Sequence, residues 1–170
     1  MRRLLRGFGV LVLAIVVVLG VTALVARVSD GPIGAFVGGP LANGTRHAEG
    51  LADWSVYRGV DTIDMQLVDP ARSRKVWILI DDDGRLYIPS GFVKSLPFWK
   101  HWPHEAAADG RAVVRIEGAL YPVQLVRVDD PRLLESLGRQ LSAKYDLPTA
   151  SGPPDPEEFW LFRVDSRNES

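Results

Sequence analysis

The 170-residue chain contains no cysteine. That absence excludes disulfides, thiolate nucleophiles and zinc sites built on sulfur. Histidine is scarce, with only His47, His101 and His104 present. No Gly-x-Ser-x-Gly elbow occurs, because Ser90-Gly91 lacks the preceding glycine, so the hydrolase nucleophile that sits on such a turn is missing. The run Asp81-Asp82-Asp83-Gly84 lacks the remaining ligands and closing Glu of a calcium loop and reads as a hairpin turn. Basic charge is not clustered either. Setting aside Arg2, Arg3 and Arg6 from the 20 Lys and Arg leaves 17 basic residues against 21 acidic ones, a balance near −4. Nucleic acid wants a concentrated basic surface, so it is excluded as a partner.

What the sequence does have is a stretch from Phe8 to Ala26 without one charged residue, preceded by three arginines. About 19 helical residues at ~1.5 Å each span close to 29 Å, which matches the hydrocarbon thickness of a bilayer. The basic flank predicts a single-pass membrane anchor with a cytoplasmic N-terminus and an extracytoplasmic C-terminal domain. A cleaved signal peptide is the rival reading. It has a shorter apolar core and small residues before its cleavage site, whereas bulky Leu24 stands in that place if cleavage follows Ala26. The expected organisation is an anchor over 1–27, a Gly/Pro-rich linker over 28–52 and a folded domain over 53–170. Within the linker, Ile33, Phe36 and Val37 predict that it docks on something rather than floating free.

From Asp53 onward the pattern is mostly strand. Asp61 to Val68 alternates, placing Ile63, Met65 and Leu67 on one face. Lys75 to Ile80 is apolar on both faces, and Asp82-Asp83-Gly84 turns it into a return strand, Arg85 to Ile88. Ala112 to Glu117 and Leu120 to Val128 pair across Gly118-Ala119, with Pro122 marking an edge or bulge because it has no N–H. Glu158 to Val164 forms the last strand. Trp77, Ile78, Ile80, Leu86, Val114, Ile116, Leu125 and Val126 are the expected core.

Two helices interrupt the strands. Pro131 to Tyr145 carries Leu133, Leu134, Leu137 and Leu141 at helical spacing, with Asp129 or Asp130 as its cap. A shorter piece is predicted between Phe92 and Trp99, and Pro103 is read as breaking any helix beyond it. The fold class is therefore mainly β with helices (α+β): an N-terminal transmembrane helix followed by a small antiparallel split β-barrel with helices packed outside.

The hairpin Val76–Ile88, the segment Pro97-Phe98-Trp99-Lys100-His101-Trp102-Pro103, the hairpin Val113–Val128 and the following helix resemble the split-β-barrel superfamily. That group includes pyridoxamine-phosphate-oxidase-like flavoproteins and deazaflavin-dependent nitroreductases. In the deazaflavin branch a Pro-x-Trp element leads into the second hairpin, and Pro97-x-Trp99 stands in that place here. The resemblance covers roughly Thr62 to Val164. It implies a cofactor, FMN or a deazaflavin, held by basic and hydroxyl groups at strand ends beside an aromatic surface. The cofactor-binding residues it points to are Arg74, Lys75, Ser90, Lys94, Trp99, Lys100 and His101. The residues themselves offer these donors without a glycine-rich cradle, and the arginine-serine-lysine signature of the strict flavin branch is not evident. No metal site is expected, and no catalytic residue is assigned. In Trp99-Lys100-His101-Trp102-Pro103-His104-Glu105 the tryptophans read first as a plug for one barrel end, with the histidines in solvent.

Two functional classes follow. One is a membrane-anchored, extracytoplasmic split-barrel protein that binds a ligand or partner without catalysis. The alternative is a flavin- or deazaflavin-dependent nitro or quinone reductase. Compatible partners are the membrane through the N-terminal helix, a small planar ligand, and a second copy of the chain in a homodimer.

Overall fold

The uncharged run becomes helix α1 (Arg2–Val28). Its segment Arg6–Val28 is long and apolar enough to cross a membrane; the most apolar 18 residues in it have a mean hydropathy of 3.0, and none of those is buried against the rest of the chain. The computed structural model describes residues 2–96, 100–148, 152 and 154–168, with side chains from residue 6 onward. After α1 come β1 (Thr45–Arg46), a 3₁₀ turn (Ser55–Tyr57), β2 (Thr62–Leu67), β3 (Ser73–Trp77), β4 (Leu79–Ile80) and β5 (Leu86–Ser90). Helix α2 (His101–Ala108), β6 (Arg111–Ile116), β7 (Ala119–Val128), helix α3 (Pro131–Lys144) and β8 (Trp160–Ser166) complete the chain.

The strands form one curled sheet in the order β3-β2-β6-β7-β8-β5-β4, antiparallel throughout that path, with β1 added parallel to β7. The result is an α+β fold around an antiparallel half-barrel. β3 and β4 are two halves of the strand expected from Lys75 to Ile80, interrupted at Ile78. The first half pairs with β2, Thr62 opposite Trp77, and the second with β5, Leu79 opposite Tyr87. One strand thus serves both ends of the sheet, which curls it toward closure. At the break, the Ile78 N–H donates to the Asp61 carbonyl at 3.2 Å and to the Tyr145 hydroxyl at 3.1 Å, so the missing ladder bond is replaced.

Alternation sends Ile63, Met65, Leu67, Leu86, Ile88 and Phe162 into the barrel interior, where they are buried. On the outer face, Leu134, Leu137 and Leu141 of α3 cover Leu79, Tyr87 and Leu161. Asp130 caps α3 by accepting from the N–H groups of Arg132 and Leu133, and Pro131 occupies a first-turn position where its missing N–H costs nothing. The β6–β7 turn is Glu117-Gly118, both at positive φ, one residue earlier than the predicted pairing. Two residues of that kind match the right-handed twist of the flanking strands. Pro122 lies between the part of β7 that pairs with β1 and the part that pairs with β8, where no ladder N–H is required.

Two expectations about the core are corrected. Trp77 is 43% exposed and Val126 36% exposed, while their neighbours Ile78 and Leu125 are buried. Both belong to the outer face, because a one-residue step along a strand reverses the side chain. The short helix that the described residues show, α2, lies beyond the predicted stretch, whose residues 97–99 are outside the described residues, and it contains Pro103. Pro103 is its third residue, where an N–H would have no intrahelical acceptor, so the ring is tolerated and buried.

The linker is docked on the fold. Gly39 N–H donates to the carbonyls of Ala26 and Ser29, each at 3.1 Å, and Gly38 exchanges backbone hydrogen bonds with Ser73. The buried Ser73 hydroxyl donates to the Gly39 carbonyl at 2.5 Å.

Candidate functional site

The sequence candidates separate into two groups once placed on the sheet. Arg74 lies opposite Met65 in the β2–β3 register, two residues before buried Val76, so it points into the barrel rather than outward. Ser90 follows Leu86 and Ile88 on the inward face of β5 and is 2% exposed. Helix α2 closes this end of the barrel with Trp102, whose ring packs 5.4 Å from Phe162, the partner of Ile88 in the β5–β8 ladder. The Arg74 guanidinium lies 5.7 Å from the Trp102 ring centroid, a cation–π contact. One turn along α2, Glu105 faces Arg74 at 3.9 Å.

That pairing leaves polar groups unsatisfied. Arg74 Nε and Ser90 Oγ are both buried without a hydrogen-bond partner. Native interiors pair such groups almost always, and here, as at the buried Trp54 Nε1, each keeps an unused hydrogen-bonding group. Lys100, immediately before α2, adds a second cation. Burial pushes its ammonium below the ordinary lysine value, and the Arg74 charge pushes it the same way. Burial lowers Arg74 to about 10, partly offset by Glu105. Two desolvated cations with one long carboxylate contact leave net positive charge facing the barrel end. An anion placed there would relieve both desolvation and repulsion.

The remaining candidates are engaged elsewhere. Lys75 projects from the other face of β3 and binds Asp64 at 2.8 Å, beside a shallow cleft of about 480 Å³ that also receives Arg115 and Glu117. Lys94 is paired with Glu157, and that contact raises its pKa. His101 is exposed in the first turn of α2, and His104 meets the edge of Trp160 at 4.7 Å. Trp99, the expected stacking surface, lies outside the described residues. Among the described residues, no group of three His, Asp or Glu side chains gathers as metal ligands.

Two features of this barrel end escaped sequence reading. Phe92, between Ser90 and Lys94, has φ +58° and is 65% exposed, a strained setting for a bulky aromatic. Its only sequence signal is the adjacent Gly91. The loop that follows is tied to the connector before β8: Val93 N–H donates to the Glu158 carbonyl, and the Ser95 hydroxyl to its carboxylate. Glu105 was legible as a charged residue but not as the counter-ion of Arg74, because 31 positions separate them and only the barrel brings them together.

A phosphate group fits the donor set of Arg74, Ser90 and Lys100, since guanidinium, hydroxyl and ammonium all donate to oxygen. No family model and no curated protein sequence matches this chain. Among solved structures, it is similar to a Listeria innocua protein described as a pyridoxamine 5'-phosphate oxidase, with TM-score 0.48 and 17% identity over 67% of this chain and 92% of that one. It is also similar to an F420 reductase, with TM-score 0.43 and 13% identity over 69% of this chain and 94% of the other.

Proposed function

We propose that this chain is a single-pass membrane protein, N-terminus cytoplasmic, whose extracytoplasmic half-barrel binds a small anionic ligand at the end closed by α2. The observation that carries this reading is the pair of buried, unpartnered polar atoms, Arg74 Nε and Ser90 Oγ, beside the desolvated Lys100. The ligand class is a compound bearing a phosphate or carboxylate. FMN and a deazaflavin, the cofactors implied by the sequence resemblance, both carry such a group. Arg74, Ser90 and Lys100 would hold the phosphate, and the bound ring would supply hydride chemistry. The role proposed is binding, because the donors Arg74, Ser90 and Lys100 are the feature the reading rests on.

The test uses the full chain in detergent micelles. Equilibrium dialysis against FMN, with visible absorption of the retained fraction, is expected to show binding that Arg74→Gln and Lys100→Gln each weaken by more than tenfold. Inorganic pyrophosphate should compete. Binding unchanged by either substitution, or absent for both FMN and pyrophosphate, would overturn the assignment of this barrel end. FMN retention accompanied by reduction of a quinone at the expense of added NADH would replace the binding role with the reductase one.

A further inference from the structure

We infer that the apolar hairpin Pro32–Val37, held against the last turns of α1, is a second membrane contact that sits at the boundary between lipid headgroups and acyl chains. The inference rests on the reading of α1 as a membrane span. The segment Pro32-Ile33-Gly34-Ala35-Phe36-Val37 contains no polar or charged side chain. Ile33 and Val37 are 38% and 42% exposed, and Gly34 and Ala35 between them are exposed as well. The tip is closed on itself, with Ile33 N–H donating to Phe36 O at 3.2 Å and Phe36 N–H to Ile33 O at 3.0 Å. Inner backbone groups of the turn are therefore paired before it meets lipid, as an apolar environment requires.

Its height relative to the bilayer is set by its base. Gly39 N–H is bonded to the carbonyls of Ala26 and Ser29, so the hairpin begins and ends at the last turn of α1. Ala26 is also where the charge-free run ends, about 27 Å along the helix from Phe8 at ~1.5 Å per residue, close to the outer limit of the hydrocarbon. From 6 to 26, the described side chains that are not exposed are Thr22, Ala23 and Ala26. They form one face of the final two turns, at the place where the hairpin is tied.

Charge agrees with this height. Arg27 is exposed at the helix end, and Arg72 Nη1 lies 3.5 Å from the Arg27 carbonyl. Two guanidiniums therefore flank the base of the hairpin at the level of lipid phosphates. The nearby carboxylate, Asp30, is occupied by Arg115 at 2.8 Å. A lipid surface suits an uncharged tip bordered by cations better than a second protein copy does. With two contacts, the barrel is held in one orientation rather than swinging on a tether.

The absence of native cysteine allows single labels. The full chain is reconstituted into vesicles of phosphatidylcholine and phosphatidylglycerol, carrying an environment-sensitive fluorophore at Ala35→Cys, Val56→Cys or Leu13→Cys. Val56 is 80% exposed in the turn before β2, and Leu13 lies in mid-span. With lipid bearing a nitroxide near the headgroup, the Ala35→Cys probe is expected to be quenched severalfold more than the Val56→Cys probe, and blue-shifted. Equal behaviour of those two, with the Leu13→Cys probe still reached by a deep-chain nitroxide, overturns the hairpin contact and leaves the span standing. Failure of the Leu13→Cys probe overturns both. A blue shift at Ala35→Cys that disappears on dilution into empty vesicles identifies a second copy as the occupant and also overturns the inference.

Discussion

Trp77 lies flat on Tyr145, their ring centroids 4.5 Å apart and their planes 13° from parallel. The contact joins the strand break at Ile78 to the end of α3. The Tyr145 hydroxyl has one proton to give, with the Asp61 carbonyl at 2.5 Å and the Ile78 carbonyl at 2.9 Å as its acceptors, and it accepts from the Ile78 N–H. Burial holds this phenol above its ordinary pKa, so it remains a donor well into alkaline solution.

Trp77→Ala should therefore behave as the loss of a surface stack, not of a core residue. A stacked pair on a half-exposed face is worth about 1 kcal/mol, against about 3–5 kcal/mol for truncating a buried Trp. Tyr145→Phe removes the hydroxyl and should cost about 1–2 kcal/mol, because backbone groups at the break lose a partner. Urea unfolding of the full chain in micelles, followed by far-UV circular dichroism, measures both. A Trp77→Ala loss as large as a core truncation would contradict the outward placement.

How much of this was readable in the sequence depends on the range of the interaction. Helix α3 was placed within a residue, because leucine spacing and an Asp-Pro start are local signals. The alternation of β2 gave its inward face directly. The strand 75–80 misled, because residues apolar on both sides do not say which face is inside. Trp77 was expected in the core without a face being assigned, and its register with Thr62 beside buried Val76 and Ile78 puts it outward. Helix α2 was missed because Pro103 reads as a breaker unless its first-turn position is known. At the barrel end, Arg74, Ser90 and Lys100 were nameable as donors. That the Arg74 charge is felt at Lys100, while Lys75 and Lys94 bind carboxylates elsewhere, follows from tertiary placement alone.

Acid should loosen the junction between linker and barrel. Burial would raise the pKa of Asp30, but the Ala42 N–H, the Asn43 amide and the Arg115 guanidinium outweigh it and hold the carboxyl at about 2. The folded pKa lies below the unfolded one, so the associated stability is complete above the unfolded value near 3.9 and is lost as pH falls toward 2. Unfolding midpoints measured from pH 5 to pH 2 should fall across that window. Asp30→Asn should lower the midpoint at pH 5 and flatten the fall. A variant that keeps the full wild-type slope would remove Asp30 as its source.

The tie between helix and barrel depends on two glycines. A Cβ on Gly38 would come within 2.0 Å of the Gly31 carbonyl oxygen, and one on Gly39 within 2.7 Å of that of Ser29. Both obstacles are backbone, which cannot swing aside as a side chain does. Gly38→Ala should open the 29–39 loop while leaving the barrel folded. Trypsin then cuts at Arg27 or Arg46 much faster than in the wild type, with little change in the urea midpoint of the sheet. Equal digestion rates would show that the loop is not clamped by this approach.

Ser90→Ala separates stability from binding. Wild-type Ser90 buries an unpartnered hydroxyl, and removing it should be neutral or stabilise the free protein by up to about 1 kcal/mol, because an unsatisfied buried group is costly. A structural hydroxyl whose bond was merely missed would give the reverse, a loss of similar size. If the hydroxyl instead serves an anion, pyrophosphate should raise the unfolding midpoint of the wild type and raise that of Ser90→Ala less. Ligand stabilisation follows the logarithm of concentration over Kd, so a tenfold weaker Kd removes about 1.4 kcal/mol of the shift at saturating ligand. Higher basal stability with a smaller ligand shift is the expected pair of results. Lower basal stability with an unchanged shift would make Ser90 a packing residue and leave Arg74 and Lys100 without their neutral donor.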